Sequence, residues 1–171
     1  MRLPEPRWPR RLPSKFVLNV ATLGPLGRRL PAPGTWGSLA GLLYTLLFFR
    51  HTSWLETCVI TLLVGYVAVG FTGEAERLMG RTDPGEVNLD EFVVMPLVFL
   101  GWHHGHLGAH PEWVVALAGF GLFRFYDILK PLGIARLQSW PGGWGIMVDD
   151  FAAALAACAT LHLGAWLWTL R

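Results

Sequence analysis

Apolar residues along this chain run in blocks instead of alternating with polar ones. Residues 57 to 73 (TCVITLLVGYVAVGFTG) carry no charge, and residues 151 to 170 (FAAALAACATLHLGAWLWTL) carry only His162. Each block approaches the roughly 20 apolar residues that a helix needs to cross a bilayer, so two spans are expected. Shorter blocks at 38 to 49, 92 to 102 and 113 to 123 fit further spans with polar ends, half-inserted helices, or helices buried in a bundle. The punctuation divides the chain into helices. A first helix starts at Ser14 and stops at Gly24-Pro25, and a loop PLGRRLPAPG then delivers Thr35 as the N-cap of a second. A third runs from about Trp54 to Met79, and a fourth from about Glu86 with a kink at Pro96. A fifth runs from Pro111 or Glu112 to Lys130, stopped by Pro131, and a sixth opens at PGGWGIMVDDFAAALAA and continues to the C-terminus. No strand-like alternation of useful length occurs. The expected fold is all-α: one domain over residues 1–171, a polytopic membrane bundle of five to six helices, some short or half-inserted.

Composition supports the membrane setting. The chain is 53% hydrophobic and 15% charged, with a mean hydropathy of +0.41, far more apolar than an ordinary soluble domain. A soluble bundle of 171 residues would have to hide nine Trp and ten Phe. The net charge is only +2, but Arg2, Arg7, Arg10, Arg11, Lys15, Arg28 and Arg29, half of the 14 basic residues, precede residue 30. That bias places the N-terminus in the cytoplasm and implies no nucleic acid. Residues 1–14 read as a basic, Pro-rich arm near anionic lipid and not as a removable signal peptide. Cys58 and Cys158 both lie in apolar blocks, which indicates packing and neither a disulfide nor a metal site.

The acids then change the picture. Of 12 in the chain, seven fall in three short segments attached to apolar helices: Asp83, Glu86, Asp90 and Glu91; Asp127; and Asp149 with Asp150. Glu86 and Asp90, four apart, are expected to share one helical face, while Asp90 and Glu91 point about 100° apart. Carboxylates crowded at low dielectric require protons or a cation among them. Oxygen ligands without Cys or paired His indicate a hard ion, Mg²⁺ or Mn²⁺. Arg124 and Lys130 flank Asp127 at three residues on either side, which adds phosphate-binding bases to metal-binding acids, the inventory of phosphoryl transfer. The histidines His103, His104, His106 and His110 lie in a Gly-rich loop without helical spacing and read as an interfacial loop, not as ligands. Plainer readings compete at three places: an acid complementing the helix dipole at Glu86, an ion pair of Asp127 with Lys130, and Thr35 as a cap alone.

Four stretches, PAPGTWGSLAG (31 to 41), DPGEVNLDEFV (83 to 93), FRFYDILKP (123 to 131) and GGWGIMVDDFAAAL (142 to 155), occur in that order. With them the chain resembles the A-type phosphatidylglycerophosphatases from about residue 18 to 165. The resemblance implies a Mg²⁺-dependent lipid phosphatase of the bacterial inner membrane that converts phosphatidylglycerophosphate to phosphatidylglycerol. It further implies Asp83, Glu86, Asp90, Glu91, Asp149 and Asp150 as metal-type acids. Asp90, Glu91, Asp127, Asp149, Asp150 and Lys130 are implied as catalytic, and Thr35, Ser38, Arg124 and Lys130 as substrate-binding. The chain departs from the family pattern at Leu132-Gly133-Ile134, where Trp-Pro-Ile is usual, and at LQSWP (137 to 141), where an Asp-Arg pair is usual.

In-line attack by water on the phosphomonoester is the preferred chemistry, with a covalent aspartyl-phosphate as the alternative. The rival functions are a phosphatase for another lipid or isoprenoid phosphate, a cation-conducting membrane protein, and a non-catalytic assembly subunit. Counting helices from a cytoplasmic N-terminus brings the starts near 35, 86 and 145 and the end near 130 to the cytoplasmic face. The histidine loop falls on the opposite face.

Overall fold

A computed structural model describes residues 5–103 and 106–170, and among them seven α-helices and no strand are found. The helices are α1 (Ser14–Ala21), α2 (Pro25–Arg29), α3 (Pro33–Phe48), α4 (Trp54–Met79), α5 (Leu89–Val98), α6 (Glu112–Leu129) and α7 (Gly143–Thr169). The fold is therefore all-α, as its apolar blocks indicate.

The two longest helices are α4, with 26 residues, and α7, with 27. At 1.5 Å per residue each is about 40 Å long, enough to cross a hydrocarbon layer of about 30 Å. Both are long and apolar enough to span a membrane. The start of α4 is written locally. The Ser53 hydroxyl accepts from the Glu56 amide at 3.2 Å, and the Glu56 carboxylate accepts from the Ser53 amide at 2.7 Å, a reciprocal cap. Gly80, at φ 64°, ends the helix in the left-handed conformation that glycine adopts without strain.

Helix α5 is the centre of the bundle. It has only ten residues, about 15 Å, and nine of them are buried. Helices α3, α4, α6 and α7 surround it. The helices around α5 approach closely. A Cβ on Gly41 of α3 would stand 2.7 Å from the Phe92 carbonyl oxygen of α5, so only glycine permits that approach. Two buried hydroxyls are satisfied within their own helices: Thr45 donates to the Gly41 carbonyl at 2.8 Å and Thr72 to that of Ala68 at 3.0 Å. The outer surface is the greasier one. Leu47 (65% exposed), Leu63 (64%), Trp113 (68%) and Trp168 (66%) project from α3, α4, α6 and α7, an apolar coat that suits lipid and not water.

Several expectations are corrected. Helix α3 begins at Pro33 behind Ala32, which has φ 52°, and no side chain caps it, so Thr35 lies inside the first turn and is not an N-cap. The fourth helix starts at Leu89, not near Glu86. Asp83 (φ 47°) and a turn closed by Val87 donating to the Pro84 carbonyl at 2.9 Å keep residues 83 to 87 out of it. Glu86 and Asp90 therefore share no helical face. Pro96 stands in the final turn of α5, which ends two residues later. Residues 25 to 29, read as loop, form the one-turn α2 behind a proline that supplies no amide. Within the basic arm, residues 8 to 11 form a 3₁₀ turn with Pro9 buried, and Trp8 packs edge-on against Phe71 of α4 at 5.2 Å.

Candidate active site

The starts of α3, α5 and α7 and the ends of α4 and α6 meet at one end of the bundle. Asn88, buried just ahead of α5, stitches this end together: its amide donates to the Ala21 carbonyl and its side-chain Nδ2 to that of Pro33, both at 3.0 Å. Asp90 and Glu91 consequently occupy the first turn of α5, where the free amides of a helix start favour negative charge. Asp149 and Asp150 lie two turns into α7 and are both buried.

Asp90, Glu91 and Asp150 each present one carboxylate oxygen within 4.8 Å of the others. Asp90 Oδ1, Glu91 Oε2 and Asp150 Oδ2 are buried and receive no hydrogen bond. A buried carboxylate oxygen without a donor is costly, and three such carboxylates crowded together are costlier, unless protons or a cation lie among them. Burial pushes the Asp90 carboxyl well above its ordinary range, and the neighbouring Glu91 charge adds to this. Burial first, then the Asp150 charge, raises Glu91 to about 8. An all-oxygen set of this kind suits a hard divalent cation.

Two bases stand beside the acids. Arg124, in the last turns of α6, donates from Nη1 to Asp127 Oδ2 at 2.5 Å and to Ser38 Oγ at 3.2 Å, and the same nitrogen is 3.8 Å from Glu91 Oε1. Ser38 in turn donates to the Gly34 carbonyl at 2.7 Å, so α3 fixes the orientation of the guanidinium. Gly34 has its own role there, because a Cβ would collide with Glu91 Oε1 and stand 3.2 Å from Arg124 Nη1. Lys130 closes α6 in a left-handed conformation (φ 45°), an arrangement that costs a non-glycine residue roughly 1–2 kcal/mol. Its Nζ hydrogen-bonds Asp149 Oδ2 and lies 3.9 Å from Asp127 Oδ1. Burial pulls the Lys130 ammonium down, but the Asp149 hydrogen bond and the surrounding Asp149, Asp150 and Asp127 charges outweigh it and leave the net shift upward.

Ser38, Asp90, Glu91, Arg124, Asp127, Lys130, Asp149 and Asp150 are thus brought together. The other candidates lie elsewhere. Asp83 is exposed at the rim, its Oδ2 accepting from Gln138 at 2.8 Å, close enough for its charge to act on Asp90. Glu86 is paired with Arg81 at 2.8 Å, and that hydrogen bond holds its carboxyl below the ordinary range. Within the cluster, Asp149 faces Lys130 and is not one of the three acids whose oxygens converge. Thr35 is half-buried in the first turn of α3. Asn88, Gly34 and Gln138 were not singled out from the sequence. Asn88 carried a usable signal, a polar residue opening an apolar block, whereas Gln138 lies where the motif pattern is broken. His103 and His106 are exposed in the loop between α5 and α6, and His106 Nδ1 meets Thr169 at the far end of α7. His104 lies outside the described residues. Among the described residues the one set able to hold a metal is Asp90, Glu91 and Asp150.

The crowded acids give a pH dependence. Glu91 binds its proton more tightly in the folded chain than at its ordinary value of about 4.5, so between about pH 4.5 and 8 the folded state holds more protons than the unfolded one. Stability of the metal-free protein is therefore expected to fall as pH rises through that window. Divalent-cation affinity is expected to rise over the same window, because the ion must displace those protons. Thermal unfolding in chelator between pH 5 and 8, with and without Mg²⁺, measures both. A metal-free stability that rises with pH would show the acids to be ionised already.

The family model for phosphatidylglycerophosphatase A matches residues 19–165. Phosphatidylglycerophosphatase A of Haemophilus influenzae is 37% identical over 130 residues, covering 74% of this chain and 75% of the relative. The protein of that name from Escherichia coli is 29% identical over 81% of this chain and 77% of its own length. A Bacteroides thetaiotaomicron protein, named as a candidate phosphatidylinositol-3-phosphatase, is 31% identical over 80% of this chain and 85% of its own. No solved structure matches the chain. The four motifs, the single acidic and basic centre they build, and a family match over most of the sequence converge: the chain belongs to the phosphatidylglycerophosphatase A family.

Proposed function

We propose that this protein removes the terminal phosphate of phosphatidylglycerophosphate, giving phosphatidylglycerol, in a Mg²⁺-dependent reaction at the cytoplasmic face of a bacterial inner membrane. The observation that carries the reading is the set of three buried, donor-less carboxylate oxygens of Asp90, Glu91 and Asp150 beside Arg124 and Lys130. A cation conductor or an assembly subunit has no use for two fixed bases next to such a set.

Asp90, Glu91 and Asp150 would hold the ion. When bound, Mg²⁺ neutralises phosphate charge and makes a water acidic enough to attack near neutral pH. Lys130 and Arg124 bind the nonbridging phosphate oxygens, and Ser38 and Thr35 offer hydroxyls from the α3 side. Asp127 and Ser38 hold the Arg124 fork in one orientation, and Asp149 does the same for the Lys130 ammonium. Asp149 is occupied by Lys130, which favours water over an aspartyl nucleophile at that position. The apolar coat keeps the acyl chains in lipid while the headgroup enters at the end of the bundle. The Arg-rich start of the chain supports the cytoplasmic orientation.

Phosphate release from phosphatidylglycerophosphate in detergent, with Mg²⁺ and with chelator, tests the proposal. Release that is absent with Mg²⁺, or undiminished in chelator, contradicts it. The Bacteroides relative favours one second reading, a different lipid phosphate. The loop at 132 to 141, where the motifs depart from the family pattern and Gln138 reaches Asp83, is where such a preference would be set. A higher kcat/KM for phosphatidylinositol 3-phosphate than for phosphatidylglycerophosphate would decide for it.

A further inference from the structure

The helix that carries Asp149 and Asp150 begins poorly. Its start, Gly142-Gly143-Trp144-Gly145, is rich in the residue that gains least from helix formation, and no side chain of its own caps it. Close packing replaces the cap: a Cβ on Gly143 would stand 2.8 Å from both the Gly73 amide nitrogen and the Thr72 hydroxyl of α4. Gly73, Gly142 and Gly143 together leave a notch without side chains at the junction of α4 and α7. One group fills it. Glu5, on the N-terminal arm, reaches in with its carboxylate, and Oε1 accepts from the Gly143 amide at 3.2 Å. A Cβ on either Gly73 or Gly142 would collide with that same oxygen.

The arm is anchored independently of this contact. Pro9 is buried and Trp8 packs on Phe71. Pro9 and Pro6 lie 3.1 and 3.4 Å from where a Gly70 Cβ would stand, and Arg10 pairs with the buried Glu74 at 3.4 Å. Helix α4 thus presents glycine at 70 and 73 as a flat seat for residues 5 to 10. The family match begins only at residue 19, so this strap lies outside it.

We infer that Glu5 is a positioning residue: it supplies from the N-terminal arm the cap that α7 lacks, and so fixes the depth and rotation at which Asp149 and Asp150 face Lys130, Asp90 and Glu91. A carboxylate suits the task because the free amides of a helix start attract negative charge. The inference rests on the reading of the acidic centre as a lipid phosphatase site.

Full-length protein in detergent carrying Glu5→Ala is expected to lose about tenfold in kcat with a smaller rise in KM, since Arg124 stays fixed by Asp127 and Ser38 while Lys130 is held less firmly by a displaced Asp149. Glu5→Gln, whose side-chain carbonyl can still accept from Gly143, is expected to recover most of the loss. Amide exchange should accelerate at Gly143 and the following turn, not throughout the bundle. Trp8→Ala with Arg10→Ala, which removes two of the arm's anchors, should reproduce the kcat loss, and adding Glu5→Ala should change little further. Unchanged kcat in Glu5→Ala overturns the role. So does a loss accompanied by faster exchange in every helix, which would make Glu5 a general stability residue. If the wild-type chain releases no phosphate from any lipid phosphate, the site reading fails, while localised exchange at Gly143 still decides whether Glu5 caps α7.

Discussion

Asp90→Asn is expected to lower phosphate release by about 1,000-fold or more while leaving the helices folded, and to stabilise the metal-free protein. Asp90 Oδ1 is buried and receives no hydrogen bond, and the Asp90 carboxylate converges with those of Glu91 and Asp150. An amide of the same shape removes a negative charge from the ligand set, so the site loses its cation before it loses its geometry. The same change relieves repulsion when no ion is present, and the melting temperature in chelator is expected to rise by on the order of 3 °C. Mg²⁺ should no longer raise that temperature in the variant, whereas it should in the parent protein. Activity near the parental level at saturating Mg²⁺ would remove Asp90 from the site. Asp150→Asn is expected to behave in the same way. Asp149→Asn should abolish turnover by another route, because it releases Lys130 and leaves the three-acid set in place.

Lys130→Ala is expected to raise KM and lower kcat together, reducing kcat/KM by about 100- to 1,000-fold. Lys130 is held by Asp149 and lies 3.9 Å from Asp127, on a backbone turn that only the end of α6 provides. A contact to a nonbridging oxygen strengthens as charge develops on the phosphoryl group, so its loss must appear in kcat as well as in binding. An unchanged kcat/KM would reduce Lys130 to an ion-pair partner of Asp149. Lys130→Arg is a sharper version of the experiment. It keeps the charge, but a planar fork replaces a compact ammonium at a buried carboxylate, and partial activity is the expected result.

How much of this was legible beforehand can be traced through individual residues. Helix α4 was legible to its ends, because Ser53, Glu56 and Gly80 write its cap and stop locally. The end of α6 was legible from Lys130 and Pro131. Thr35 was misread because a β-hydroxyl residue ahead of an apolar block looks like a cap, whereas the chain enters the helix two residues earlier through Pro33. Glu86 was misread because spacing of four residues means one face only if the helix includes both, and the Pro84-Gly85 turn excludes it. The arm's basic, Pro-rich character was legible, but not that its Pro and Trp residues pack on α4 and its Glu5 reaches α7, 138 positions away. No local pattern announces a partner at that distance.

By itself, the sequence determined the fold class and most of the charged side chains of the candidate site. Long apolar blocks must become helices, because in lipid only a helix satisfies its own backbone without a partner strand, and charges that interrupt such blocks must gather at their ends. It also marked five acids and two bases, Asp90, Glu91, Asp127, Asp149, Asp150, Arg124 and Lys130, that the structure brings together at one end of the bundle. Only the tertiary structure decided which acid does what. Asp149 and Asp150 are neighbours in sequence, yet one is held by Lys130 and the other faces Asp90 and Glu91. The reason is geometric: one residue along a helix turns the side chain by about 100°, while carboxylate chemistry is settled over a few ångströms. The rotation of α7 against α5 and α6, set by glycine contacts and buried side chains, therefore assigns the two roles.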